Sequence, residues 1–351
     1  MKKIINFFKN PFVNVVLILS LSIGALYFTM RGDWQSVISA VFAVNPIYYL
    51  LFAFWVLTHQ YTMGVILTLI IRSIKPNYKY HQGFVNAIST SFFNGVSPGA
   101  TGGQFSLLYI NTKQGISGSE SSSILWFDFM TYQGSLSITV FLLLVFGKDY
   151  FWDHHSNLLP FILAGFVVSI GIFVGLWALV RFKWVYNFIS KLIFTVGVKL
   201  RIIKNPENAI ANLDRQIEIF ETETVKFKNS KKLGAIVLTL NIIRNLMHFT
   251  FPFIVIYTVV PGATFKMLLP SMTLMACIDL IDVFFIVPGA AGLTEGLFAL
   301  LFGGLFESMG LDTMLVSSVL LIWRFFSYYF IMIVGALTFT GFKIFHIKRS
   351  T

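Results

Sequence analysis

Eight ionisable residues lie within the long apolar runs of this chain: His59, Asp128, Arg244, His248, Asp279, Asp282, Glu295 and Arg324. An ionisable group at membrane depth costs at least a few kcal/mol, so it is expected to face a partner or water. Arg244 and His248 are four residues apart and share a helix face; Asp279 and Asp282 are three apart and share another. The two helices follow one another, so Arg244 is expected to pair with Asp279 or Asp282. Glu295 lies just beyond a Pro-Gly break, and Arg324 sits mid-helix with Tyr328 one turn on. Both are expected to line a cavity. His59 reads as a packing residue, and Asp128 has no assigned partner. We take Asp128, Arg244, His248, Asp279 and Asp282 together as a polar core, with a purely structural ion pair as the alternative to a functional one.

Nucleophilic, metal and nucleotide chemistry find little support. There is no HExxH, no CxxC and no Walker A loop, and no G-x-S-x-G accompanies a usable histidine. Asp153, His154 and His155 read as a solvated loop rather than a metal site. The single cysteine, Cys277, lies in an apolar run and reads as packing. No covalent chemistry, metal or cofactor is expected.

The other chemical signal is backbone. Residues 92–115 read FFNGVSPGATGGQFSLLYINTKQG, a glycine-rich break inside an apolar segment. Broken helix in a bilayer exposes amides and carbonyls that hydrocarbon cannot satisfy, so it survives only in protein or beside a wet cavity. Residues 94–104 are therefore expected to line one. Asn94, Ser97, Thr101 and Gln104 supply polar partners, Gly102 and Gly103 allow close approach, and a helix starting near Gln104 would point its amides at an anion such as a lipid phosphate. The alternative is an ordinary cytoplasmic turn. Pro98-Gly99-Ala100-Thr101-Gly102 has a counterpart, Pro288-Gly289-Ala290-Ala291-Gly292. Paired short segments interrupted by Gly and Pro point to a transporter's binding site.

The elements that must position these groups are membrane helices. The 351-residue chain is 56% hydrophobic and 12% charged, with mean hydropathy +0.77. Helices are expected at about 12–30, 46–71, 121–146, 159–181, 233–258, 267–286 and 313–341, with two glycine-interrupted segments left over, 83–112 and 287–307. The first segment reads as a span rather than a cleaved signal. The fold class is an all-α polytopic membrane protein. It has about seven to eight transmembrane helices and one or two re-entrant or broken ones, and the halves could be related. The membrane halves 1–181 and 233–351 flank a connector, 182–232, in which Ile210, Leu213, Ile217 and Phe220 mark an amphipathic cytoplasmic helix.

The net charge of +11 reads as cytoplasmic retention rather than nucleic-acid binding. Arg72, Lys75 and Lys79, the connector's ten basic residues, and Lys343, Lys348 and Arg349 place both termini inside. Even parity follows, whereas seven spans are odd; 287–307 must cross, or one of the spans is misread.

The segment from Asn86 to Gly115, with Ser97-Pro98-Gly99 and Thr101-Gly102-Gly103, is similar to the flippase-like membrane domain of lysylphosphatidylglycerol synthases, also called multiple peptide resistance factors. Pro288 to Gly292 with Glu295-Gly296, and Arg324 in the last span, carry the resemblance across nearly the whole chain. The resemblance implies a bacterial inner-membrane protein that moves an aminoacylated phospholipid, such as lysylphosphatidylglycerol, between leaflets. The chain is read as the stand-alone domain, without the soluble transferase half. The expected ligand is membrane phospholipid, contacted by Asn94, Ser97, Thr101, Gly102, Gly103, Gln104, Glu295 and Arg324. A separate aminoacyl-lipid synthase or a second copy is the expected protein partner. The other readings are a membrane subunit presenting lipid to such a synthase, and a scaffold with a structural polar core.

This sequence departs from the family's usual pattern at three places. Gln104 stands where a glutamate is usual, Thr294 where a basic residue precedes the glutamate, and Trp126-Phe127 where a Glu-Arg pair is common. The polar core is correspondingly less charged.

Overall fold

The computed structural model describes residues 34–148, 150, 156–182 and 230–347. The first predicted span, the amphipathic connector helix and Asp153 to His155 lie outside these residues. All described elements are helical, as the apolar runs require: in hydrocarbon a helix satisfies its own backbone. They are α1 Trp34–Ala43, α2 Pro46–Arg72, α3 Tyr80–Val96, α4 Gly102–Lys113, α5 Gly118–Phe146, α6 Leu159–Arg181, α7 Lys231–Val259, α8 Leu268–Asp282, α9 Leu293–Ser308, α10 Leu315–Arg324 and α11 Ile331–Ile347. A π-helical segment, Phe325–Phe330, joins α10 to α11. Three-residue 3-10 turns, Pro98–Ala100 and Pro288–Ala290, separate α3 from α4 and precede α9. The chain is an all-α polytopic membrane protein. Among the described residues, six stretches are long and apolar enough to cross a bilayer: 46–72, 118–146, 156–175, 231–259, 288–308 and 315–344.

Local sequence sets the boundaries. Asn45 caps α2 by accepting from the Ile47 amide at 3.0 Å, with Pro46 at the first helical position. Ser117 and Glu120 close a reciprocal box at the start of α5.

Two helix pairs are built of short α-helices, although in the second the stretch 288–308, which adds the 3-10 turn to α9, is long and apolar enough to cross. The seventeen residues of α3 and twelve of α4 rise about 26 and 18 Å, and they pack against each other around the first break. The fifteen residues of α8 and sixteen of α9 rise about 22 and 24 Å and pack around the second. The hydrocarbon core is about 30 Å thick. The predicted span 267–286 is thus a shorter helix, because Val283 to Gly292 leave helical geometry to make the second break. Both pairs are helical hairpins.

The halves pack alike. α2 rests on α3 as α7 rests on α8, α4 on α5 as α9 on α10, and α3 on α11 as α5 on α8. α2 and α7 also pack against each other. Gly64 and Gly83 allow the close crossing of α2 and α3: a Cβ on Gly83 would come within 2.4 Å of the Gly64 carbonyl oxygen. The main apolar core lies between α2, α7, α8, α9 and α10, where Phe298 stacks on Phe302 (4.0 Å between centroids) and on Trp323 (4.8 Å).

Candidate functional site

Both Pro-Gly-Ala turns take the same backbone path. Gly99 lies at φ 59°, ψ 27° and Gly289 at φ 61°, ψ 16°; the alanines that follow also have positive φ, 53° at Ala100 and 47° at Ala290. For alanine this is a strained conformation, costing about 1–3 kcal/mol each, and it persists only where the surroundings impose it. The two turns touch: the Gly99 amide donates to the carbonyl of Ile286 at 3.1 Å. The tips of the two hairpins therefore meet.

Each break is satisfied locally. α4 starts at Gly102, two residues before the expected start, so its first amides are already used. The Gly102 amide donates to Ser97 Oγ at 2.7 Å and the Gly103 amide to Asn94 Oδ1 at 2.9 Å. Thr101 Oγ1 donates to the Pro98 carbonyl at 3.1 Å. Gln104 sets its side-chain amide 2.6 Å from the Thr101 carbonyl, a position that suits the amide nitrogen as donor. Asn94, Ser97, Thr101 and Gln104 thus supply the backbone partners expected of them. Gly99, Ala100, Thr101 and Gln104 are exposed at the tip, beside exposed Val283, Phe284, Phe285 and Ile286 of the second hairpin.

The second break is fixed by charge. Glu295 is fully buried; its Oε2 accepts from the Gly292 amide at 2.7 Å, capping α9, and its Oε1 accepts from Arg324 Nε at 2.9 Å. Arg324 also donates from Nη2 to the Gly289 carbonyl at 2.7 Å, and its guanidinium lies over the Tyr328 ring, 4.4 Å from the centroid. The Tyr328 hydroxyl donates to the Gly95 carbonyl of α3 at 2.8 Å. A continuous chain of contacts therefore runs from Glu295 through Arg324 and Tyr328 into the first hairpin. The π-helical turns begin just after Arg324; such widened turns occur frequently at functional sites.

The polar core departs from its expected pairing. Asp279 faces His248, with Nε2 3.2 Å from Oδ2, rather than Arg244. Asp282 Oδ2 accepts from Thr294 Oγ1 at 2.7 Å. Arg244 lies over the Tyr132 ring at 4.6 Å and donates to Asn241 Oδ1 at 3.4 Å. The reason is register. Of the two α7 residues on that face, the one a turn later meets α8, and the earlier one turns toward α5. Asp128 lies on α5 within the electrostatic reach of Arg244. His59 and His248 approach with ring centroids 6.1 Å apart, and both line a cavity of about 50 Å³ between α2, α7 and the π-helical segment.

Sequence reasoning missed several polar pins. Asn86 Nδ2 donates to Asn111 Oδ1 at 2.7 Å, and Asn111 Nδ2 to Ser121 Oγ at 2.8 Å, tying α3, α4 and α5 together. Asn245 Nδ2 donates to Ser135 Oγ at 3.1 Å between α7 and α5. Asparagines inside apolar helices were the available signal, since each requires a partner there.

No curated protein matches the chain. A family model described as the lysylphosphatidylglycerol synthase TM region matches residues 15–335, which takes in both hairpins and every residue of the site. On that match the chain belongs to the family of lysylphosphatidylglycerol synthase transmembrane regions.

Proposed function

We propose that this protein moves a phospholipid between membrane leaflets by passing its headgroup across the meeting point of the two hairpin tips. The observation that carries this reading is the contact of two broken tips, the Gly99 amide on the Ile286 carbonyl, each belonging to a pair of short helices. Thr101 and Gln104, exposed on the first tip, meet phosphate or glycerol oxygens. Asn94, Ser97, Gly102 and Gly103 hold the tip's shape. The exposed Phe284, Phe285 and Ile286 beside them suit acyl chain.

Glu295 and Arg324 form the charged element of the path. Closed on each other, they neutralise a pair of buried charges. A headgroup carrying an ammonium and a phosphate can replace both partners at once, the ammonium on Glu295 and the phosphate on Arg324. An aminoacylated phosphatidylglycerol has both groups, which makes it the best-fitting lipid class. Opening the pair frees the Gly289 carbonyl and the Gly292 amide, so headgroup entry and tip movement are coupled.

Membrane orientation follows from charge. With both hairpins re-entrant, the crossings are the span expected from sequence at 12–30 together with α2, α5, α6, α7 and α10–α11. This even number agrees with cytoplasmic termini and basic loops. The first hairpin then enters from the cytoplasm and the second from outside, giving two halves of inverted topology. The setting is a bacterial inner membrane.

The test is leaflet exchange in vesicles. Purified protein is reconstituted with fluorescent phosphatidylglycerol, its lysylated form or a neutral lipid, and the dye's accessibility to an external quencher is followed. Faster exchange of an aminoacylated or anionic lipid is the expected result. Exchange no faster than in empty vesicles, with folded protein, overturns the reading in favour of a subunit that presents lipid to a separate synthase.

A further inference from the structure

We propose that His248 and Asp279 form a proton-binding site that couples lipid movement to a transmembrane proton gradient. The inference rests on the translocation reading and assigns its driving force.

The geometry gives the site three properties of a coupling site. It bridges two helices: His248 belongs to α7, and Asp279 to α8 of the second hairpin, 3.2 Å away. A protonated imidazole draws the two helices together, and a neutral one holds them by no more than a hydrogen bond. It is not sealed: the side chains of His248 and Asp279 are 35% and 27% exposed, which contrasts with the fully buried Glu295. It adjoins a cavity: His248, His59, Gln60 and Ser327 lie among the apolar Trp55, Val56, Met247, Phe251 and Ile331 that line the 50 Å³ space, which is roomy enough for water and gives it polar partners.

The surroundings accommodate a positive charge. From α8, His248 faces Asp279 and Asp282; from its own helix, Arg244; and from α2, His59. α5 contributes Tyr132 and Asp128 around Arg244. α10 and its π-helical extension contribute Ser327 to the cavity and Arg324, already bound to Glu295. Four carboxyl groups face two guanidinium groups in this cluster.

The site also reaches the lipid path. Asp282 lies one turn beyond Asp279 and holds Thr294, the residue before Glu295. A displacement of α8 on proton capture or release is therefore delivered to the hydrogen bond beside the Glu295–Arg324 pair. Protonated, the site pins the second hairpin to α7; deprotonated, it frees α8 and the tip with it.

The experiment reads leaflet distribution under an imposed pH gradient. Vesicles hold the protein and fluorescent phosphatidylglycerol or its lysylated form; the lumen is set one pH unit away from the bath, in either direction. A protonophore collapses the gradient in control samples. With one proton moved per lipid, the wild type is expected to shift the steady-state leaflet ratio up to about tenfold, because one pH unit is a tenfold ratio of proton activity. The shift reverses with the gradient's direction and vanishes with the protonophore. In Asp279→Asn and His248→Gln the distribution no longer responds to the gradient, and a luminal pH dye shows no lipid-dependent proton movement. If the wild type exchanges lipid but its leaflet ratio ignores the gradient, the proton proposal is wrong and the translocation reading stands. If no lipid exchanges under any condition, both fall.

Discussion

The Glu295–Arg324 pair shows what one residue can decide in this protein. Glu295 caps α9 and neutralises Arg324, and Arg324 holds the carbonyl of Gly289. Removing one member of a buried pair leaves an uncompensated charge, at a cost of about 3–5 kcal/mol. Arg324→Ala is therefore expected to lower thermal stability sharply in detergent. Glu295→Gln keeps the shape and one acceptor but leaves Arg324 without its counter-charge, so it should also melt lower, and its exchange, read on the folded fraction, should be lost; unchanged exchange would remove Glu295 from the path. Gly289 is constrained twice, by its positive φ of 61° and by the Tyr328 hydroxyl, which a Cβ would approach to 2.3 Å. Gly289→Ala should displace Tyr328 from the Gly95 carbonyl and slow exchange at least tenfold, a loss of about 1.4 kcal/mol in activation free energy. Exchange at the wild-type rate would show that this contact is dispensable.

At the scale of elements, the breaks were legible because proline followed directly by glycine recurs in the same string in both halves, whereas a single proline such as Pro252 stays inside α7. Both Pro-Gly-Ala strings mark real turns with the same dihedral angles. Asn94, Ser97, Thr101 and Gln104 also served the break as their side-chain chemistry requires. Partner choice was not legible. Helical spacing placed Arg244 and His248 on one face, but the rotation of α7 decides which of them meets Asp279. Glu295 and Arg324 are far apart in sequence and were read as two separate cavity residues; only packing of α9 on α10 brings them together. The length of α8 was misjudged because Val283 to Val287 are apolar enough to continue a helix, and the break takes them instead. The close α2–α3 crossing offers a check on the hairpin's footing. Gly83→Leu would push side-chain atoms into Thr68 and the Gly64 carbonyl, with an expected cost of about 1–3 kcal/mol. A melting temperature equal to the wild type's would mean that α3 is free to move away from α2.

On the scale of the whole molecule, the re-entrant reading of both hairpins fixes where loops emerge. Cysteines introduced at Gly115, between α4 and α5, and at Lys75, between α2 and α3, should react with an impermeant thiol reagent only from the cytoplasmic side. Cysteines at Gly262, between α7 and α8, and at Asp312, between α9 and α10, should react only from outside. Labelling of Asp312→Cys and Gly262→Cys from opposite sides would mean that the second hairpin crosses, and the inverted relation of the halves would be lost.

The central claim is that a headgroup passes where the two tips meet, so the tips must part. A Cβ built on Gly99 lies 3.7 Å from Ile286 Cγ2. Cysteines at these two positions, with Cys277 replaced by alanine, can therefore be joined by a short bis-thiol reagent. The uncoupled double-cysteine protein is expected to exchange lipid, the joined protein to stop, and cleavage of a reducible linker to restore the rate. Undiminished exchange with the tips joined would contradict the account.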